Sequence, residues 1–266
     1  MLLRSVFTKT IRDLRWPTFW IAVGMGAMTG YFAVLFPTYR KIIDLEAILA
    51  KMGPAAQLMG AQAGDASSLI GFLHIELFSM ILPAALIAFA AGMASGFIAG
   101  EESRGTIDVL LSYPVPRWRL VIEKSIAVVI GCLVAAVVTW VLAVGGAALS
   151  SSELPGDRLA SALVMLVLLS LAFGAIALAI SAATGSRGAA IGIAVALMVA
   201  MYLVDALANI VDGLKVLRPL SLFKYYMGHD PLRNGLDLGD MAVLAVVMAV
   251  FLVAALVAFE RRDLAA

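Results

Sequence analysis

Six long runs without a charged side chain divide this sequence, and they limit the possible folds more than any other feature. The runs cover residues 16–39, 77–100, 125–152, 159–186, 188–204 and 241–259. Each is near or above the roughly 17–25 residues that an α-helix needs to cross about 30 Å of hydrocarbon. Because a spanning segment must satisfy its backbone polar groups internally, such runs are expected to be helical. We therefore expect an all-α membrane protein with six transmembrane helices.

The composition indicates that lipid rather than a water-soluble core surrounds these runs. Apolar residues make up 63% of the 266 positions and charged residues 14%, whereas a soluble domain is about 45–50% apolar and about 25% charged. The net charge of +1 lacks the basic excess typical of nucleic-acid-binding proteins. A single cysteine, Cys132, leaves neither a disulfide framework nor a CxxC site. Nucleic acid is thus not an expected partner.

We expect one transmembrane domain over residues 1–266, which begins with an amphipathic interfacial helix. Residues 2–15 place Leu3, Phe7, Ile11 and Leu14 at helical spacing among basic residues. This helix is expected to lie along the inner leaflet before the chain turns at Trp16–Pro17. The expected spans are about 17–38, 72–100, 119–150, 159–184, 188–210 and 240–259.

The distribution of Lys and Arg predicts that both termini are cytoplasmic. In that orientation eleven of the 19 Lys and Arg residues lie inside, in loops that are shorter than the outer ones. Cytoplasmic loops carry an excess of these residues. The predicted location is the cell inner (plasma) membrane, with several passes.

The most informative segment is the connection between the second and third runs. Glu101 and Glu102 follow the second run, and residues 106–112 have the pattern of a short helix that is closed by Pro114 and Pro116. A short rigid helix between two spans suits a lever, since a protein that docks there can move both spans.

This E-E-x-R-G-T segment, followed by a short helix and a Y-P-V-x-R-x-R-L stretch, resembles ATP-binding-cassette permeases of the second type (ABC-2), which are six-helix exporter subunits. The resemblance implies a coupling helix between helices 2 and 3 that docks an ATPase and transfers force. The residues that it assigns to this role are Glu101, Glu102, Arg104, Gly105, Thr106, Ile107, Leu110 and Leu111. It also implies two partners, namely a cytoplasmic ABC ATPase subunit and a second permease copy or a homologous permease.

The resemblance covers nearly the whole chain, including the stretch 219–235 between the fifth and sixth runs. In the family this connection partly re-enters the outer leaflet. Its apolar and aromatic residues either re-enter here too or form an interfacial aromatic belt; they are Phe223, Tyr225, Tyr226 and Met227.

The sequence lacks the phosphate-binding motif G-x-x-x-x-G-K-[ST]. We therefore expect no catalytic, cofactor-binding or metal-binding residues in this chain, and expect ATP and magnesium to be bound by the partner ATPase. The assembled complex would be an ATP-hydrolysing translocase.

The predicted function is export of a hydrophobic or amphipathic substrate, such as a drug, antibiotic, lipid or peptide, because the spans are free of charge. The alternative is a secondary transporter or channel, which usually shows ionisable residues near mid-bilayer or broken helices in inverted repeats. A third class, an intramembrane hydrolase, is disfavoured because the charge-free runs contain no His, Asp or Glu.

Small residues and one proline are expected to shape the packing of the spans. Glycines recur at four-residue spacing in the pairs Gly26–Gly30 and Gly188–Gly192 and in the row 92, 96 and 100. Such rows allow helix backbones to approach closely, and internal packing is favoured here over a subunit interface. Pro83 is expected to mark a kink or a close contact.

Three ionisable residues near span ends are expected to be structural. His74 and Glu76 would lie about 200° apart on a helix, which is poor geometry for a shared metal. Both are expected near the outer interface, where solvation is cheap, with a structural or gating role. Asp205 is expected to end the fifth span rather than relay protons.

Overall fold

The structure is a computed structural model that describes residues 6–42, 51–52, 68–97, 116–208 and 210–261. In this part of the chain the regular elements are helices, and no strand is found. The α-helices are α1 Val6–Ile42, α2 Leu69–Leu73, α3 Ile81–Ser95, α4 Arg117–Leu149, α5 Gly156–Thr184, α6 Arg187–Leu207, α7 Leu222–Met227, α8 Pro231–Asn234 and α9 Leu238–Arg261.

Five of the described helices are long and apolar enough to cross a membrane: α1, α4, α5, α6 and α9. A sixth span results if the bent pair Leu69–Phe78 and Ile81–Ser95 crosses as one unit. The all-α membrane class is thereby confirmed. The helix ends lie a few residues from the expected limits because charged residues such as Arg117 and Arg187 are still helical.

The helix α5 occupies the centre of the bundle. Its most apolar window is 78% buried inside the protein, against 22% for α6 and 17% for α9. Helices α3, α4, α6 and α9 all pack against it. Large apolar faces of α6 and α9 are therefore left for lipid or for another chain.

The expected turn at Trp16–Pro17 is wrong, because α1 continues as one helix through both residues. A proline removes only one backbone donor, and neighbouring helices make this tolerable in membrane proteins. Leu14 is 6% exposed and belongs to the main apolar core. The start of α1 therefore packs on the bundle, mainly through contacts of α1 with α4.

In the region of the expected second span, the described helices run from Leu69 to Ser95 and are bent by 45°. A π-helical turn, His74–Phe78, precedes the bend, and the Ser79 amide donates to the carbonyl oxygen of His74 at 2.9 Å. Pro83 follows the bend and has no N–H to bond the carbonyl four residues earlier. Proline and π-helical turns are both recognised causes of sharp kinks.

The glycine pairs divide between internal packing and an open face. A Cβ on Gly26 would lie 2.8 Å from Leu142 Cδ1, and a Cβ on Gly30 would lie 2.8 Å from the Leu142 carbonyl oxygen. This confirms internal packing for the first pair. The prediction of internal packing is wrong for Gly188 and Gly192, where a Cβ would meet nothing within 4 Å. These two glycines are open because α6 lies at the edge of the bundle.

Candidate functional site

The residues predicted to form the coupling helix lie outside the described residues. They are Glu101, Glu102, Arg104, Gly105, Thr106, Ile107, Leu110 and Leu111. The structure describes the residues that border this segment, Phe97 before it and Pro116 after it. We call this end of the bundle, where α3 and α5 end and α4 and α6 begin, the coupling end.

The last turn of α3 is capped by side chains from two other helices. An α-helix leaves its last four carbonyl groups without an intrahelical partner. Ser181 Oγ of α5 donates to the Ser95 carbonyl oxygen at 2.8 Å, and Arg187 Nη2 of α6 donates to the Gly92 carbonyl oxygen at 3.2 Å. The backbone amides of residues 96 and 97 donate to the carbonyl oxygens of residues 93 and 94. All four terminal carbonyls of α3 therefore have partners.

A buried lysine connects the two sides of the coupling segment. Lys124 of α4 is only 7% exposed, and its Nζ donates to the Phe97 carbonyl oxygen at 3.0 Å. The same ammonium group lies 5.5 Å from the centroid of the Phe97 ring, within the range of a cation–π contact. The residue directly before 98–115 is thus tied to α4, the helix that follows this segment.

The first turns of α4 carry a second basic residue with a different role. Arg119 Nε lies 2.7 Å from Glu123 Oε1, one helical turn later. The Arg119 side chain is 57% exposed, so this ion pair lies on the surface of α4 and is expected to contribute little to stability. Of the two, Lys124 is therefore the one that ties α4 to α3.

A family model described as ABC-2 family transporter protein matches residues 9–264 of the chain. The chain belongs to the ABC-2 transporter family. It is a membrane permease of an ABC transporter, and the family implies partnership with an ABC ATPase. No curated protein matches the chain significantly.

Contacts at the coupling end of the permease join four helices. Lys124 of α4 bonds the carbonyl oxygen of Phe97, directly after α3. Ser181 joins α5 to α3, and Arg187 joins α6 to α3. Arg187 could be noticed in the sequence as the lone charge between two apolar runs, but Ser181 could not, because it is one small residue among many.

At the opposite end of the permease, the stretch between α6 and α9 inserts two aromatic residues into the bundle. Tyr226 is fully buried and donates its hydroxyl to the Phe78 carbonyl oxygen at 3.0 Å. Burial raises the pKa of this hydroxyl, so it stays protonated as a donor. Phe223 is 3% exposed, and its ring centroid lies 5.5 Å from that of Tyr202. These two residues are therefore part of the core and not of a surface belt.

His74 is buried, contrary to the expectation that it lies at a solvated interface. It is 5% exposed, and its Nδ1 lies 3.5 Å from Oδ1 of Asp230, which is 6% exposed. The short connection that contains Asp230 folds back over the bend. This contact joins residues that are distant in the sequence, so their local sequence could not predict it. Glu76 is partly buried, and Asp205 pairs with Arg218 Nε at 2.9 Å. Among the described residues, no group of three or more His, Cys, Asp or Glu could hold a metal ion.

Proposed function

We propose that the permease exports a hydrophobic or amphipathic substrate, driven by a separate cytoplasmic ATPase that docks on residues 98–115. The bonds that tie the end of α3 and the following Phe97 to three neighbouring helices support this proposal. A loop attached to a well-tied helix end can transmit force, whereas a loop between frayed ends would absorb it. Glu101 and Glu102 are assigned the docking contacts, and Gly105 the sharp turn into the short helix.

The interior supports an apolar cargo. A cavity of about 140 Å³ lies among α3, α4, α5 and α9, lined by apolar side chains together with Ser125. Pockets that hold drug-sized ligands have volumes of about 300–1,000 Å³. The cavity in one permease therefore suits only part of such a molecule, and we place the full pathway between two permease copies.

The outward face of α6 supports the second copy, which is either identical or homologous. Four exposed small residues follow one another at four-residue spacing along this face: Gly188, Gly192, Ala196 and Ala200. Such a row permits close approach of another helix in lipid. We propose it as the packing face between the two permeases.

A secondary transporter is the competing function, favoured by the bent span and the buried His74–Asp230 pair. Broken helices that carry ionisable groups are typical of ion-coupled carriers. In this permease the pair lies at one end of the bundle rather than at its middle. Family membership and the tied coupling end favour ATP-driven transport.

The test uses the full-length permease with its ATPase in lipid nanodiscs. The permease alone should hydrolyse no ATP, and the complex should contain two permeases and two ATPases. Replacing Glu101 and Glu102 together by Ala should weaken ATPase binding by about five- to thirtyfold, since two exposed charge pairs together contribute roughly 1–2 kcal/mol. Asp212→Ala, at the opposite end, is the control. ATP hydrolysis by the isolated permease, or unchanged binding in the double variant, would refute the proposal.

A further inference from the structure

A large open cavity lies at the end of the permease opposite the coupling end. Its volume is about 1130 Å³, and its walls come from the ends of α1 and α4, the starts of α2 and α5, and α8. We call this cavity the vestibule. It is large enough for a ligand of the size that protein pockets usually hold, and none of its lining residues belongs to the proposed coupling machinery.

The vestibule has an excess of positive charge. Its walls contain four basic residues, Arg40, Lys41, Arg158 and Arg233, against two acidic ones, Glu153 and Asp157. On the proposed topology these cations lie outside the cell, where Lys and Arg are disfavoured. Their concentration in one concave surface therefore points to a negatively charged ligand.

Arg233 is held in place by a buried carboxylate behind it. Its Nε lies 3.2 Å from Asp230 Oδ2, and the other carboxylate oxygen lies 3.5 Å from His74 Nδ1. Both Asp230 oxygens and His74 Nδ1 are buried without a hydrogen-bond partner of standard geometry. Burying a carboxylate is costly unless it is paired with an opposite charge, and Arg233 supplies that charge. Here the carboxylate fixes the guanidinium group at the vestibule wall.

Arg158 is held against a glycine on the other side. A Cβ on Gly235 would lie 2.6 Å from Arg158 Nη1, and Gly235 itself has φ +84°. The positive φ favours glycine, and a side chain at this position would also push the guanidinium group away. The ion pair of Arg158 with Asp157, at 3.6 Å, is largely exposed and leaves donors free to bind a ligand.

Two residues with a strained backbone conformation also lie at or near the vestibule. Among the described residues, two that are not glycine have positive φ, Ser151 at 50° and Asp230 at 51°. Ser151 lines the vestibule, and Asp230 lies directly behind Arg233. Strained residues of this kind cluster at ligand-binding and switch sites, where the surrounding structure holds them.

We propose that the vestibule is a binding site for a phosphate-class anion, held by the guanidinium groups of Arg158 and Arg233. The planar fork of arginine matches phosphate oxygens in a bidentate contact. Arg40 and Lys41, exposed in the last turn of α1, add attraction around this pair. The phosphate belongs either to a lipid headgroup or to a free anion, and both sources share this chemistry.

The test measures binding of two probes to the full-length permease in phosphatidylcholine nanodiscs. The probes are fluorescent phosphatidylglycerol and inorganic pyrophosphate. The test variant is R158Q/R233Q, and the control is K215Q/K224Q, which removes two basic residues of the same end that do not line the vestibule. Arg158→Gln alone serves as a second variant that leaves the buried Asp230 ion pair intact.

We expect the Kd of a bound probe to rise about tenfold or more in R158Q/R233Q, since a charged hydrogen bond contributes roughly a factor of ten. A smaller rise is expected for R158Q and no change for K215Q/K224Q. Binding of phosphatidylglycerol alone identifies a lipid headgroup, whereas competition by pyrophosphate identifies a free anion as well. The proposal is overturned if the wild type binds neither probe, or if R158Q and R158Q/R233Q bind as the control does.

Discussion

Glycines allow a close contact between α1 and α4 in this permease. A Cβ on Gly146 would lie 2.5 Å from the Gly30 carbonyl oxygen, and a Cβ on Gly30 would lie 2.8 Å from the Leu142 carbonyl oxygen. Neither distance is possible for a real side chain against a backbone atom. The neighbouring Gly145 is exposed, and a Cβ there would meet nothing within 4 Å.

Gly146→Leu should therefore destabilise the permease by roughly 1–3 kcal/mol, the usual cost of overpacking. The matched change Gly145→Leu should be neutral or stabilise by up to about 1 kcal/mol, because it removes a glycine from a helix interior. Unfolding of both variants in mixed micelles with increasing dodecyl sulfate measures the difference. Equal stability of the two variants would contradict the packing described for α1 and α4.

At the scale of elements, the end of α3 connects the coupling segment to the rest of the bundle. Each of its last four carbonyl groups is bonded, two of them by side chains of α5 and α6, and Lys124 of α4 bonds the carbonyl that follows. These contacts join helices that are distant in the chain. A change in one of them should therefore affect coupling more than it affects folding.

Lys124→Met should keep most of the packing of the side chain but remove the donor to the Phe97 carbonyl oxygen. We expect a stability loss of about 1–3 kcal/mol, the cost of leaving a buried polar group unpaired, and a marked loss of substrate-stimulated ATPase activity in the complex. Arg119→Met is the control, because its ion pair is exposed and contributes about 0.5 kcal/mol or less. ATPase stimulation that is equally retained in both variants would show that Lys124 does not transmit force.

At the scale of the whole molecule, the coupling end and the vestibule lie at opposite ends of the bundle. The orientation in the membrane therefore decides which of these two ends a cytoplasmic ATPase can reach. The Lys and Arg distribution predicts that the coupling end faces the cytoplasm. Arg117 and Arg187 lie at that end, as does Arg261 at the last turn of α9.

A reporter that is active only outside the membrane should be silent when it is fused after Ala266 and active when it is inserted at Gly213, an open position in the connection after α6. The physical reason is that an even number of spans places both termini on one side. Enzyme activity of the two fusions in whole cells, normalised to protein amount, checks this. The reverse pattern would place the coupling end outside and exclude docking of a cytoplasmic ATPase.

Local sequence properties were sufficient for the membrane class and for the family. Hydropathy over about twenty residues is a property of one helix and needs no knowledge of its neighbours, so six spans could be predicted. The short E-E-x-R-G-T pattern that begins at Glu101 pointed to the ABC-2 family, which the match over residues 9–264 confirms. The roles of the coupling residues themselves stay predictions.

Only the tertiary structure decided which face of each helix is inside and which distant residues meet. The pairs Gly26–Gly30 and Gly188–Gly192 have the same spacing, yet the first is packed and the second is open. His74 and Asp230 are separated by three spans but lie 3.5 Å apart because the connection after α6 folds over the bend. Such contacts depend on the rotation and tilt of several helices together, and a charge-free sequence stretch contains little local information about either.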